Sequence, residues 1–171
     1  NKIRLTGGEP LLRPDVVDIV RDMVELRVSL GLTTNAMNLH KHLDGLVDAG
    51  LRSLNVSLDT FDAERFRTIA RRDGYWTVWN NVRKAHDKGM RIKLNMVVMR
   101  GVNDDEILRF VELTEHNDIH VRFIEFMPFA GNHWGRERVY TYAEMLGHIG
   151  SKHSFEKLTD DANSTAKAYR V

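Results

Sequence analysis

The chain has 171 residues, 42% of them hydrophobic and 29% charged, which is the balance of an ordinary globular protein and excludes a disordered or membrane-spanning one. Its length suits one domain, or part of one, at about 100 to 200 residues per domain. Twenty-five Lys and Arg against 24 Asp and Glu leave a formal charge of +1, so neither nucleic acid nor an anionic membrane is favoured electrostatically as a partner. The absence of cysteine excludes disulfides, thiol nucleophiles, thiolate zinc sites and any iron–sulfur cluster held by thiolates of this chain. Residue 1 is Asn rather than Met, and the expectation is an internal fragment of a longer protein.

Taken in chain order, short apolar or alternating runs are each followed by a turn and an amphipathic stretch at helical spacing. Residues 3–6 read as a strand. After Gly7 and Gly8, a helix from Pro14 carries Val16, Val17, Val20, Met23 and Val24 on one stripe. Residues 29–34 form the next strand, and a helix bearing Leu39, Leu43, Leu46 and Val47 stops at Gly50, a residue suited to a left-handed cap. A third strand covers 51–58. Asp62 caps a helix with Phe66 and Ile69, and another helix with Val78, Val82 and Ala85 ends at Gly89. The fourth strand covers 92–99, Asn103 or Asp104 starts a helix with Ile107, Phe110 and Val111, and the fifth strand covers 121–127. Thr141 with Glu144 has the spacing of a capping box ahead of Met145, Leu146 and Ile149.

Strands alternating with helices imply a parallel sheet with right-handed crossovers, either doubly wound or part of a barrel. Inner strands of a doubly wound sheet are covered on both faces and read as continuous apolar runs. Four strands here instead alternate. Arg4 and Thr6, Thr33 and Asn35, Asn55, Ser57 and Asp59, and Lys93 and Asn95 each share one face of their strand, with Leu, Ile, Val and Met on the other. One polar face on four successive strands implies a curved sheet with helices outside and a hydrated pocket inside, and hence a site at the C-terminal strand ends. Arg122 and Glu125 have opposite parity, and the sequence leaves their orientation open.

A bare Gly-Gly pair is by itself only a turn, and the first strand runs into TGGEP with neither GxGxxG nor GxxxxGK[ST] present. Five strings together carry more: RLTGGEPLLRPD (4–15), LTTNAMNL (32–39), LNVSLDT (54–60), MRGVNDDE (99–106) and RFIEFMPF (122–129). The sequence resembles the radical S-adenosylmethionine (SAM) enzymes, and the last two strings narrow the resemblance to the MoaA family of GTP 3′,8-cyclases in molybdenum cofactor biosynthesis. NSTAKAYRV (163–171) looks like that family's approach to its second cluster region.

The resemblance implies a partial (β/α)₆ radical SAM barrel holding strands two to six, with the first strand, its CxxxCxxC loop and a C-terminal segment with three further cysteines lying outside the chain. Residues 1–134 would be the barrel core and 135–171 the start of the C-terminal region. It implies a lyase with SAM and two [4Fe-4S] clusters as cofactors. A deoxyadenosyl radical takes hydrogen from the 3′ carbon of the GTP ribose, and that carbon closes onto carbon 8 of guanine. This cysteine-free segment would hold neither cluster and be inactive alone. Residue by residue, the family pattern puts Gly8, Ser57 and Met127 at SAM and Arg4, Thr33 and Lys93 at GTP. It also implies a downstream enzyme that forms the cyclic pterin, leaves a homodimer open, and gives a cytoplasmic location in bacteria or the mitochondrial matrix in eukaryotes.

Two rival readings share these residues. A radical SAM enzyme acting on a peptide would need no anion site, and Lys93 inside a barrel mouth could instead form an imine in a cofactor-free lyase. Eight histidines lack metal-ligand spacing: His40 with His42 has the wrong period for one helix face, and His116 with His120 straddles a helix end. Trp76 and Trp79, three apart on a helix without basic neighbours, read as packing rather than base stacking.

Overall fold

The computed structural model describes residues 2–128, 135–160 and 165–171. Of the sequence expectations, the end of RFIEFMPF at Phe129, the start of NSTAKAYRV at Asn163 and Ser164, and the boundary at residue 134 lie outside the described residues. Five strands, β1 (Lys2–Leu5), β2 (Ser29–Thr34), β3 (Ser53–Ser57), β4 (Arg91–Val98) and β5 (Ile119–Glu125), form one parallel sheet in the order β1-β2-β3-β4-β5. Each strand lies beside the next in sequence, with no reversal of order. Right-handed crossovers then bring the connecting helices to the same face and leave the other without them. A doubly wound sheet would reverse at a switch point and cover both faces. The alternation read from the sequence therefore has its cause in singly wound topology.

The chain divides into two compact units, Asn1–Asn95 with Asp118–His120, and Met96–Asn117 with Val121–Val171. In the first, the register is fixed residue by residue: Arg4 pairs with Gly31, Thr33 with Asn55, Asn55 with Lys93, and Ser57 with Asn95. Paired residues of parallel neighbours point to the same side of the sheet. The apolar side carries Leu32, Leu54, Val56, Ile92 and Leu94, each 1% exposed or less. Helices α1 (Val16–Glu25), α2 (Leu39–Asp48), α3 (Ala63–Ala70) and α4 (Tyr75–Asp87) bury Val16, Val20, Leu39, Leu43, Leu46, Phe66, Val78, Val82 and Ala85.

The helix ends follow the local chemistry of the sequence. Gly50 adopts φ 96° after α2, and Leu51 N–H donates back to the Leu46 carbonyl at 2.9 Å. Gly89, φ 76°, repeats this after α4, with Met90 N–H on the Ala85 carbonyl at 3.1 Å. A side chain at either position would carry left-handed strain. The Asp62 carboxylate accepts from Arg65 N–H at 2.7 Å, the expected N-cap of α3. Asp15 stands at the N-cap of α1, but its carboxylate is held in bidentate fashion by Arg13 at 3.0 and 2.6 Å and makes no cap bond.

The second unit holds α5 (Ile107–His116), α6 (Tyr142–Gly150) and a small antiparallel pair, β6 (Glu156–Lys157) and β7 (Tyr169–Arg170). Asn103 stands where expected, at the N-cap of a 3-10 turn (Asp104–Glu106) that runs into α5, but its side chain makes no cap bond. It is fully buried, and its side chain accepts from Met99 N–H at 2.7 Å and donates to the Val97 carbonyl at 2.9 Å, tying down the turn after β4. The Thr141–Glu144 capping box forms as expected. The fifth strand starts two residues earlier than expected, at Ile119, because strand pairing rather than the apolar run sets its start. Glu125, exposed at its end, accepts from Tyr142 N–H, while Arg122 is half-buried. Trp79 packs edge-on against Phe61 at 5.4 Å as expected, but Trp76 is 65% exposed and touches Tyr75 at its edge. Among the described residues no group of three His, Cys, Asp or Glu could hold a metal ion.

Candidate functional site

The polar side of the sheet in the first unit is built in rows across the strands. Arg4 lies opposite Gly31; Thr33, Asn55 and Lys93 form the next row; Ser57 and Asn95 form the one beyond. The expectation that Arg4, Asn55, Ser57, Lys93 and Asn95 share one face is met, and Thr33 joins them. Arg4 and Ser57 are exposed, Thr33, Lys93 and Asn95 half-buried, and Asn55 6% exposed. Gly31 carries no side chain opposite Arg4, and the row of Arg4 adjoins one holding a lysine ammonium, a hydroxyl and an amide. That set suits a polyanion bound by charge and by directed hydrogen bonds.

At the C-terminal end of β1 the chain turns through Gly7 and Gly8, both exposed. Gly7 has φ 136°, which demands glycine. Gly8 has no such need, and a Cβ built there meets no atom within 4 Å. The fold therefore asks nothing of glycine at position 8, while its absent side chain leaves backbone open to a ligand.

Glu9, which the sequence reading did not single out, fixes this turn. Its Oε1 accepts from Leu11 N–H at 3.0 Å and from the Thr34 hydroxyl at 2.6 Å, and its Oε2 accepts from Asn35 N–H at 2.7 Å. One carboxylate thus clasps the glycine turn to the end of β2. The end of β2 is itself held: Ala36, at φ 58°, gives its carbonyl to the Asn81 amide at 2.8 Å. The signal was available, since an acid between a Gly-Gly turn and a proline stands where backbone N–H groups need an acceptor, but its partners lie 25 and 26 residues away.

Beyond Ser57 a cleft of about 110 Å³ has Asn35, Ser57, Asp59, Thr60 and Arg72 on its polar part and Met37, Phe66 and Ile69 on its apolar part. A flat apolar group with a polar rim fits such a lining. Met127 lies in the second unit, beyond the end of β5, and is 74% exposed.

The chain matches the family model described as the Radical SAM superfamily over residues 1–114, and it belongs to that superfamily. A crystal structure of archaeal TYW1, 21% identical, superposes with a TM-score of 0.66 over 97% of this chain and 55% of that one, which carries the fold alone. Closer relatives by sequence are mouse molybdenum cofactor biosynthesis protein 1, 49% identical over 100% of this chain and 28% of that protein, and the Arabidopsis thaliana protein named GTP 3′,8-cyclase, mitochondrial, 43% identical over 100% of this chain and 45% of that protein. The chain thus spans less than half the length of either.

The superfamily implies SAM and an iron–sulfur cluster. A thiolate-held cluster does not fit the residues present, because the chain has no cysteine. The chemistry of the residues present is compatible with SAM, since open backbone at Gly8, the exposed Ser57 hydroxyl and the cleft beside it offer both polar and apolar surface.

Proposed function

We propose that the chain is the central part of a GTP 3′,8-cyclase acting in the first step of molybdopterin formation, with GTP as substrate. The observation that carries this reading is the row of Thr33, Asn55 and Lys93 next to Arg4, a cationic and hydroxylic face on a sheet whose other side is apolar. The names of the mouse and plant relatives support it. Arg4 and Lys93 neutralise and hold the triphosphate, and Thr33 donates a hydroxyl to it. Gly8 gives backbone groups to the SAM amino acid, Ser57 hydrogen-bonds the SAM ribose, and Met127 contributes a backbone group. SAM with its cluster supplies the hydrogen-abstracting chemistry of the superfamily when bound. The protein's own residues keep the two nucleoside ligands in adjacent places, which is the orientation an intermolecular hydrogen transfer needs. Two clusters belong to this reading, and their thiolates stand outside these 171 residues. The partner that consumes the product would be a pterin-forming enzyme. The compartment follows the host, mitochondrial for a eukaryotic protein as in the plant relative's name.

The test is a pair of variants in the complete, cluster-loaded protein. A charge-assisted hydrogen bond contributes about 1.5 to 3 kcal/mol, so Lys93→Met weakens GTP by about one to two orders of magnitude and leaves SAM nearly unchanged. Ser57→Ala does the reverse. Equilibrium titration of both ligands reads the pattern, and intact GTP affinity in Lys93→Met would remove the phosphate role of that lysine.

A further inference from the structure

Three non-glycine residues among those described hold a left-handed φ: Arg27, Ala36 and Arg71. Arg27 and Arg71 are exposed and close α1 and α3, where a left-handed residue is an ordinary helix ending. Ala36 is different. It follows β2, is 0% exposed, and keeps φ 58° although its methyl group disfavours that conformation. Strain of this kind persists only where the surroundings fix it.

The fixing group from outside the turn belongs to α4. Within the turn, Ala36 N–H donates to the Thr34 hydroxyl at 2.9 Å, and the Ala36 carbonyl accepts from Leu39 N–H at 3.2 Å. Asn81, 3% exposed, reaches the same carbonyl from 45 residues away: its Nδ2 donates to it at 2.8 Å and lies 3.4 Å from the Met37 carbonyl. Gly74, at the N-cap of α4 with φ 141°, leaves the space that the Met37 side chain fills, since a Cβ there would stand 2.5 Å from Met37 Cε. The helix contributes no residue to the cleft beside Ser57, yet Asn35 and Met37, on either side of Ala36, both line it.

We propose that Asn81 is a positioning residue for this cleft. By holding the Ala36 carbonyl it keeps residue 36 left-handed, and so keeps Asn35 and Met37 in the wall beside Ser57. The proposal rests on the reading that places SAM there; Asn81 itself, buried under the turn, touches no ligand.

The experiment uses the complete, cluster-loaded protein with Asn81→Ala, Ala36→Gly and the two combined, and reads SAM and GTP affinity by equilibrium dialysis. Without the clamp Ala36 relaxes, and Asn81→Ala is expected to bind SAM about three- to tenfold more weakly, while GTP stays within about twofold. Glycine adopts the left-handed conformation without strain. Ala36→Gly alone therefore leaves both ligands unchanged and, combined with Asn81→Ala, returns SAM affinity to within about twofold of the unaltered protein. A packing role alone would weaken both ligands alike or neither, and glycine would not rescue it. The proposal is overturned if Asn81→Ala keeps its SAM affinity, if it loses SAM and GTP together, or if Ala36→Gly restores nothing. Should Asn81→Ala not fold, the combined variant decides: unaltered SAM affinity supports the clamp, and weak SAM binding or failure to fold overturns it. Ser57→Ala measured alongside separates the failures. If it weakens SAM and Asn81→Ala does not, the positioning role falls and the reading of the cleft stands; if neither weakens SAM, both fall.

Discussion

Gly8 separates what a residue does for the fold from what it does for a ligand. With ordinary φ and no neighbour within 4 Å of a Cβ, it should accept alanine without loss of stability. If its backbone faces SAM, the added methyl stands in the approach path. Gly8→Ala in the complete protein is therefore expected to keep its thermal midpoint and bind SAM at least about tenfold more weakly. An unchanged SAM affinity would return Gly8 to the status of a turn residue. Glu9 is the opposite case. Three protein hydrogen bonds occupy its carboxylate, so its part is to position the turn, not to touch a ligand. The proposed roles of Lys93 and Arg4 combine charge, which is read from the sequence, with place, which comes from the cross-strand pairing.

At the scale of elements, α6 offers a pH test. The Glu144 carboxylate takes the Arg100 guanidinium at 2.6 Å and the Thr141 N–H and hydroxyl at 2.9 and 2.8 Å. These bonds, that from Arg100 first, lower its pKa from 4.5 to about 2. A carboxylate whose pKa is depressed in the folded state contributes stability that is fully present above its unfolded pKa and is lost as pH falls through the folded one. The window is therefore about pH 4.5 down to 2. Asp160, held at about 2 chiefly by Lys157, titrates in the same range, so the comparison must be with Glu144→Gln. Carboxyl NMR is expected to show Glu144 titrating near pH 2, and Glu144→Gln to lose less stability on acidification than the unaltered chain. A Glu144 midpoint near 4.5 would show that the capping box and the Arg100 pair do not persist in solution.

On the scale of the whole molecule, β1 is an edge of the sheet, and its Ile3 and Leu5 are only half-buried. The outer edge of such a strand, with apolar residues beside it, is a template for another chain. These 171 residues expressed alone should self-associate or unfold at low denaturant, and sedimentation across a concentration series checks this; a monomer with cooperative, high-denaturant unfolding would contradict it.

Periodicity, caps and parity were legible in the sequence because they depend on residues two to four apart. Alternation put Arg4, Thr33, Asn55, Ser57, Lys93 and Asn95 on one face, and Gly50, Gly89, Asp62 and the Thr141–Glu144 box marked helix ends where the structure has them. The start of β5, the role of Asn103 and the exposure of Trp76 were not legible, since each is set by what another segment offers. The same holds for the centre of the site. The sequence alone determined which residues face inward. Only the tertiary structure decided that Thr33, Asn55 and Lys93 stand in one row, that Glu9 reaches β2, and that Asn55 Nδ2 and Asn95 Oδ1 are buried without a partner, because register and hydrogen bonding between distant segments are fixed by packing the sheet and not by any local pattern.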